Sequence, residues 1–212
     1  TLGATWEVTW SDTEGVVSGS QSGSGNSQWN IPNVPYTDTV TLNAKITQNP
    51  TGYTCTISPT STTAQAGQSI TFTVSCTVET GSISVSVTND TLGATWLVTW
   101  SDSQGKVSGS QSGSSDASWT VNNVPYGDTV TFQAQIVSNP SGYTCTISPT
   151  SQTAQMGGSV TFTVSCTLIT GPINVEVTND TLGATWQITW SDTQGIISGS
   201  QSGSSDESWT IN

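Results

Sequence analysis

Histidine and arginine are absent from this 212-residue sequence, and lysine occurs only as Lys45 and Lys106. Against those two cations stand 14 Asp and Glu, so the formal net charge is −12, and charged residues make up only 8% of the chain. Neutralising a phosphate backbone takes clustered Lys and Arg, so nucleic acid is excluded as a partner. The same deficit excludes docking on an anionic membrane surface. Without histidine, neither a Ser-His nor a Cys-His nucleophile can be assembled. A two-carboxylate glycosidase needs only acids, but the acids here fall in turns of small modules with no evident cleft. The expectation is a protein that is not an enzyme and uses no cofactor. No apolar run approaches the ~20 residues that cross a bilayer, so no membrane insertion is expected in this segment. Thr1–Trp6 carries no basic region and does not read as a signal peptide. Helical hydrophobic periodicity is missing as well.

What is present favours strands. Polarity comes mostly from Ser, Thr, Asn, Gln and Gly, and the 32% hydrophobic content is concentrated in Val, Ile, Trp, Tyr and Phe. Those residues suit a pleated, half-buried surface and argue against disorder. The four cysteines form two equivalent pairs, Cys55 with Cys76 and Cys145 with Cys166, each 21 residues apart. Even number and regular placement without histidine favour disulfides over zinc and imply an oxidising, extracellular compartment. Neither Cys-x-x-Cys nor a nearby base suggests redox chemistry.

The dominant signal is a repeat. Thr-Leu-Gly-Ala-Thr-Trp begins at Thr1, Thr91 and Thr181, a period of 90 residues (91−1 and 181−91). The first two periods are roughly 70% identical, far beyond compositional coincidence. In the middle copy, apolar residues alternate through Ile83, Val85 and Val87, then Trp96, Val98 and Trp100, then Trp119 and Val121. The alternation continues through Val130, Phe132, Ala134 and Ile136, then Tyr143, Cys145 and Ile147, then Val160, Phe162, Val164 and Cys166. Six or seven short strands in one period predict an all-β fold of tandem β-sandwiches, with one disulfide per complete repeat. The unit is expected to open with a strand over 82–88 and close with one over 160–167. That phasing divides the chain into a repeat lacking its first strand at 1–80, a complete repeat at 81–168 and the N-terminal part of a third at 169–212. Both ends then cut a fold. Either the chain is a window on a longer array, which the overlap of the third piece with the first favours, or a neighbouring molecule supplies missing strands by β-addition.

Several residues invite a functional reading. Nine tryptophans fall three per period: Trp6, Trp10 and Trp29, Trp96, Trp100 and Trp119, Trp186, Trp190 and Trp209. Exposed aromatic rows bind sugars, but Trp96 and Trp100 share a strand face with Val98, while position 97 is Glu7 and Gln187 in its sister copies. The expectation is that the tryptophans are core. Acids recur at Asp12/Asp102/Asp192, Asp38/Asp128, Asp90/Asp180 and Asp116/Asp206. Without an Asp-x-Asp-x-Asp run they read first as turn residues, with inter-strand calcium as the alternative. Asn89-Asp90-Thr91 and Asn179-Asp180-Thr181 are N-glycosylation sequons in a turn, which makes Asn89 and Asn179 candidate glycan acceptors and the chain a candidate glycoprotein. An isopeptide bond needs a buried lysine, yet Lys45 becomes Gln135 and Lys106 corresponds to Val16 and Ile196.

The strings Val-x-Val-Thr-Asn, Thr-Trp-x-Val-Thr-Trp, Ser-Trp-x-Val-x-Asn-Val-Pro-Tyr, Gly-Tyr-Thr-Cys-Thr-Ile-Ser-Pro and Val-Thr-Phe-Thr-Val-Ser-Cys-Thr together resemble immunoglobulin-like repeats of prokaryotic, archaeal and bacterial, cell-surface proteins. The resemblance covers each whole period. It implies tandem Ig-like sandwiches in a stalk, adhesin shaft or filament at the cell surface, with other copies of the same protein as partners. The Trp-x-Val-Thr-Trp stretch also resembles cellulose-binding sandwich modules, which makes surface glycans a second candidate partner and a polysaccharide-binding array the alternative function. A surface-layer component assembled through acidic sites and divalent cations is the third.

Overall fold

The computed structural model describes residues 2–178, 181–193 and 196–212. Every element of regular structure among them is a strand. The first copy supplies β1 (Thr5–Asp12), β2 (Ser18–Gly23), β3 (Val40–Gln48), β4 (Tyr53–Ser58), β5 (Ser61–Ala64) and β6 (Thr73–Val78). The second supplies β7 (Thr80–Thr88), β8 (Thr95–Asp102), β9 (Ser108–Gly113), β10 (Ala117–Pro125), β11 (Thr129–Ser138), β12 (Tyr143–Ser148), β13 (Ser151–Gln155) and β14 (Ser159–Leu168). The third contributes β15 (Ile173–Val177), β16 (Trp186–Ser191), β17 (Ser198–Gly203) and β18 (Glu207–Ile211). The protein is all-β and is built of tandem β-sandwich domains. It divides into two compact units, Thr1–Ser141 with Cys145–Cys166, and Gly142–Thr144 with Thr167–Asn212.

The second copy shows a closed sandwich. Its two four-stranded sheets have the orders β10-β7-β14-β12 and β13-β11-β8-β9. Because side chains alternate across a strand, one face of each sheet carries the apolar set. Ile83, Val85, Val87, Val124, Val164 and Phe162 from the first sheet are buried with Trp96, Val98, Val130 and Phe132 from the second. The opening strand β7 lies at the centre of its sheet. It runs parallel to β14, with Val85 opposite Val160, and antiparallel to β10, with Val85 opposite Trp119.

The alternation placed six or seven strands in this copy, and the structure has eight. Those it does not reveal are β9 (Ser-Gly-Ser-Gln-Ser-Gly) and β13 (Ser-Gln-Thr-Ala-Gln), the two edge strands of one sheet. Edge strands with polar side chains on both faces are what keeps sheets from pairing with neighbours, and they erase the period-2 signal. β7 also begins two residues earlier than expected, and β14 is one residue longer at each end.

The first copy has the same β2-β1-β3-β5 sheet, but its second sheet holds only β4 and β6. The counterpart of β10, residues 27–35, is coil, and β6 begins at Thr73, whereas β14 begins at the position equivalent to Ser69. In the second unit β15 pairs with β18 and β16 with β17.

Candidate functional site

Each copy builds a three-tryptophan stack. In the second copy Trp119 of β10 lies against Trp96 of β8 with ring centroids 6.0 Å apart and planes 7° from parallel, and Trp100 contacts both Trp119 and Phe132. The pairs Trp6–Trp29 and Trp186–Trp209 repeat the contact at 5.7 Å in each case. Trp6 and Trp96 are buried, as the expected core role requires, whereas the other seven rings are half-buried. Ring orientation is set by the neighbouring strand. Trp96 faces Gly113 and Trp100 faces Gly109 across the β8–β9 ladder. A Cβ at Gly113 would sit 2.5 Å from the Trp96 ring, and one at Gly109 2.6 Å from that of Trp100. The Gly-x-x-x-Gly spacing of β9 therefore answers the Trp-x-x-x-Trp spacing of β8. The indole N–H of Trp96 then donates to the Ser115 carbonyl at 3.1 Å, as Trp6 does to Gly25 at 3.0 Å and Trp186 to Ser205 at 3.1 Å.

The recurrent aspartates organise turns. Asp12 accepts the backbone N–H groups of Val16 and Val17 at 2.9 and 3.0 Å, closing the loop between β1 and β2. Asp102 and Asp192 do the same for Lys106 at 2.8 Å and Ile196 at 2.7 Å. Asp90 accepts the Ala94 amide at 2.9 Å, and its own N–H donates to Asp116 at 2.7 Å. Among the described residues no group of three or more His, Cys, Asp or Glu is arranged to hold a metal.

Asn89, the first sequon asparagine, has φ of 66° and its side-chain amide donates to the Val164 carbonyl at 3.0 Å. Its carboxamide thus ties the end of β7 to β14. Asn179 lies outside the described residues. Cys55 is bonded to Cys76 and Cys145 to Cys166, and in the first copy the two half-cystines sit directly opposite each other on β4 and β6. Each disulfide therefore staples neighbouring strands. Lys45 pairs with Glu7 across β1 and β3 at 2.8 Å, with its own side chain 66% exposed. That is a surface ion pair, of little energetic weight.

Two further features stand out, of which only the first carries no mark in the sequence. The first is a joint between the first and second copies. The Glu79 N–H donates to the Gly52 carbonyl, and the Tyr126 N–H donates to the Glu79 carbonyl, both at 2.8 Å. A Cβ on Gly52 would collide with the Tyr126 ring, and its φ of 76° also calls for glycine. Within the second unit the Ile169 N–H donates to Gly142 at the same distance, 2.8 Å. The second feature is a groove of about 890 Å³ in the first copy, lined by Trp6, Trp29, Ile57, Ile70, Phe72 and Val74 among others. It lies between residues 24–29 and 69–74, where the second copy has β7.

No protein-family model matches this chain, and no curated protein matches it. Among solved structures, the TIE protein of Bacillus anthracis is similar over 99% of this chain, at 17% identity and a TM-score of 0.48. This chain spans 40% of that structure's length. An adhesin from Mobiluncus mulieris, described as containing intramolecular disulfide, isopeptide and ester bond cross-links, is similar over 79% of this chain and 86% of its own. Its identity is 11% and its TM-score 0.32.

Proposed function

We propose that this chain is part of an extracellular, non-catalytic shaft: the repeat region of a cell-surface filament, stalk or adhesin built from Ig-like sandwiches. The observation that carries the reading is the joint at Glu79. A backbone residue hydrogen-bonded on both sides, with a tyrosine ring seated on a glycine, holds one copy against the next without a flexible linker. The corresponding Ile169–Gly142 bond repeats half of that joint 90 residues later (169−79). Identical joints between near-identical modules give a constant rise and rotation, as a regular shaft requires. One disulfide in each of the first two copies suits an oxidising exterior and mechanical load. In the second copy Trp96 is fully buried against Trp119, so that ring offers no face for stacking a sugar, which weighs against the polysaccharide-binding alternative.

Electron microscopy of native material with helical averaging tests this directly. Fibres with an axial repeat of one module, or a small multiple, are the expected result. Short isolated particles would overturn it.

A further inference from the structure

Glu79 of the joint is followed directly by β7, and β14 ends at Leu168, one residue before Ile169. Tension carried along the chain therefore enters the second copy at the start of β7 and leaves it at the end of β14. These two strands are neighbours in one sheet and run parallel, with Ser84 opposite Ser159 and Thr88 opposite Thr163. In a parallel pair, the start of one strand and the end of the other lie at opposite ends of the ladder. A pull between them runs along the strands, so the ladder bonds are strained together and not parted one at a time. The other neighbour of β7 is β10, which is antiparallel from Pro125 opposite Thr80 to Ala117 opposite Val87. The same pull drags β7 lengthwise against that strand too.

The side chains of β7 forbid a gradual slide. Ile83, Val85 and Val87 are buried and alternate with Ser82, Ser84 and Ser86. A slip of one residue would turn the serines into the core and the valines outward. Further bonds fix the register at both ends. Near the start of β7, Gly157 N–H donates to the Ser82 carbonyl at 2.8 Å and Ser84 N–H to the Gly158 carbonyl at 3.1 Å. Towards its end, the Ser86 and Thr161 hydroxyls are hydrogen-bonded at 3.0 Å, and the Asn89 amide donates to the Val164 carbonyl at 3.0 Å. The disulfide then sets the covalent route. Cys166, near the end of β14, is bonded to Cys145 of β12, 21 residues earlier. Tension leaving through Thr167 passes between the sulfur atoms to Cys145, so residues 146–165, with all of β13 and most of β14, lie off the loaded path.

We infer that β7 is the load-bearing strand of the second copy, held in shear between β14 and β10, and that the Cys145–Cys166 bond keeps residues 146–165 as a loop that tension does not extend. The inference deepens the shaft reading and rests on it for its purpose. It names the elements that resist a pull and the order in which they yield: β7 leaves first, and the disulfide loop stays closed afterwards.

Single-molecule pulling on the full 212-residue chain tests this, with handles on click-reactive side chains at exposed positions. Handles at 80 and 168 load β7 and β14 in shear, whereas handles at 80 and 159 peel them from one end. A urea midpoint matching that of the unmodified chain shows that each handle pair leaves the fold intact. The rupture force in shear is expected to be several-fold the peeling force. Equal forces in the two directions would overturn the load-bearing role of β7. Reduction should lengthen the ruptured 80–168 segment by about 70 Å, from a separation of 21 residues at ~3.5 Å each less the span of the bond itself. A length indifferent to reductant would overturn the closed loop. Asn89→Gly should lower the shear force and leave the peeling force where it was, because Asn89 ties the end of the pair remote from the peeling handles. An equal fall in both directions would remove Asn89 from the load path. These forces are read on one molecule, so their failure is distinct from that of the shaft reading, which the fibre images decide.

Discussion

Six glycines of this chain lie beneath tryptophan rings: Gly19, Gly23, Gly109, Gly113, Gly199 and Gly203. None of them has a positive φ, so what they provide is the absence of a side chain. Gly113→Ala should therefore destabilise the second copy by about 1–3 kcal/mol, the usual cost of forcing extra volume into a packed site. Chemical unfolding followed by tryptophan emission would measure it, and Trp96→Phe in the same chain should recover part of the loss. Asn89 is a different case, because backbone and side chain both matter. Asn89→Gly keeps the left-handed φ and gives up the bond to Val164, at a cost of about 1 kcal/mol. Asn89→Ala adds the left-handed penalty for about 1–2 kcal/mol more. If the alanine and glycine variants unfold at the same midpoint, the backbone account is wrong. Trp96 could be assigned to the core from its parity with Val98 alone. The glycine partners of the tryptophans could not, because glycine in a Ser/Gly-rich run also reads as a turn or loop. The signal available was the recurrence of Ser-Gly-Ser-Gln-Ser-Gly at 18–23, 108–113 and 198–203.

At the scale of elements, equivalent strands have unequal weight. Val85 on β7 is buried between two neighbours, while Val175 on β15 is only half-buried. Val85→Ala should cost about 1.5–3 kcal/mol, on the order of the burial energy of a valine side chain, and Val175→Ala in the isolated chain well under 1 kcal/mol. The disulfides also act on elements. Each closes a loop across a 21-residue separation, worth about 3 kcal/mol in the chain-entropy model. Removing Cys55–Cys76 should be the more damaging change, since β6 has β4 as its one strand partner among the described residues. Cys→Ser pairs made separately in each copy, compared by urea midpoint, would check the ranking. Strand positions were legible wherever one face meets the core. At the edges, β9 and β13 meet solvent on polar faces, and nothing periodic marks them.

At the scale of the molecule, the joint decides mechanics. Tyr126→Ala leaves each sandwich core intact but removes the ring from Gly52. Small-angle scattering should then show a broader distribution of end-to-end distances with little change in the unfolding midpoint. An unchanged distribution would mean that the two backbone bonds of Glu79 hold the joint by themselves.

The 90-residue period, the all-β class and the inward parity of each strand belong to the sequence alone. They are written in the side chains of adjacent residues, where local alternation meets the pleat. The tertiary structure alone decided which strand lies beside which. β7 and β14 pair across 75 residues of chain (159−84), and no local pattern encodes a parallel contact at that distance. The phasing of the repeat already implied that the stretch 1–80 lacks its first strand, but only the three-dimensional structure shows the groove and the residues that line it. A groove is the absence of a neighbour, and neighbours in a sheet are chosen by packing.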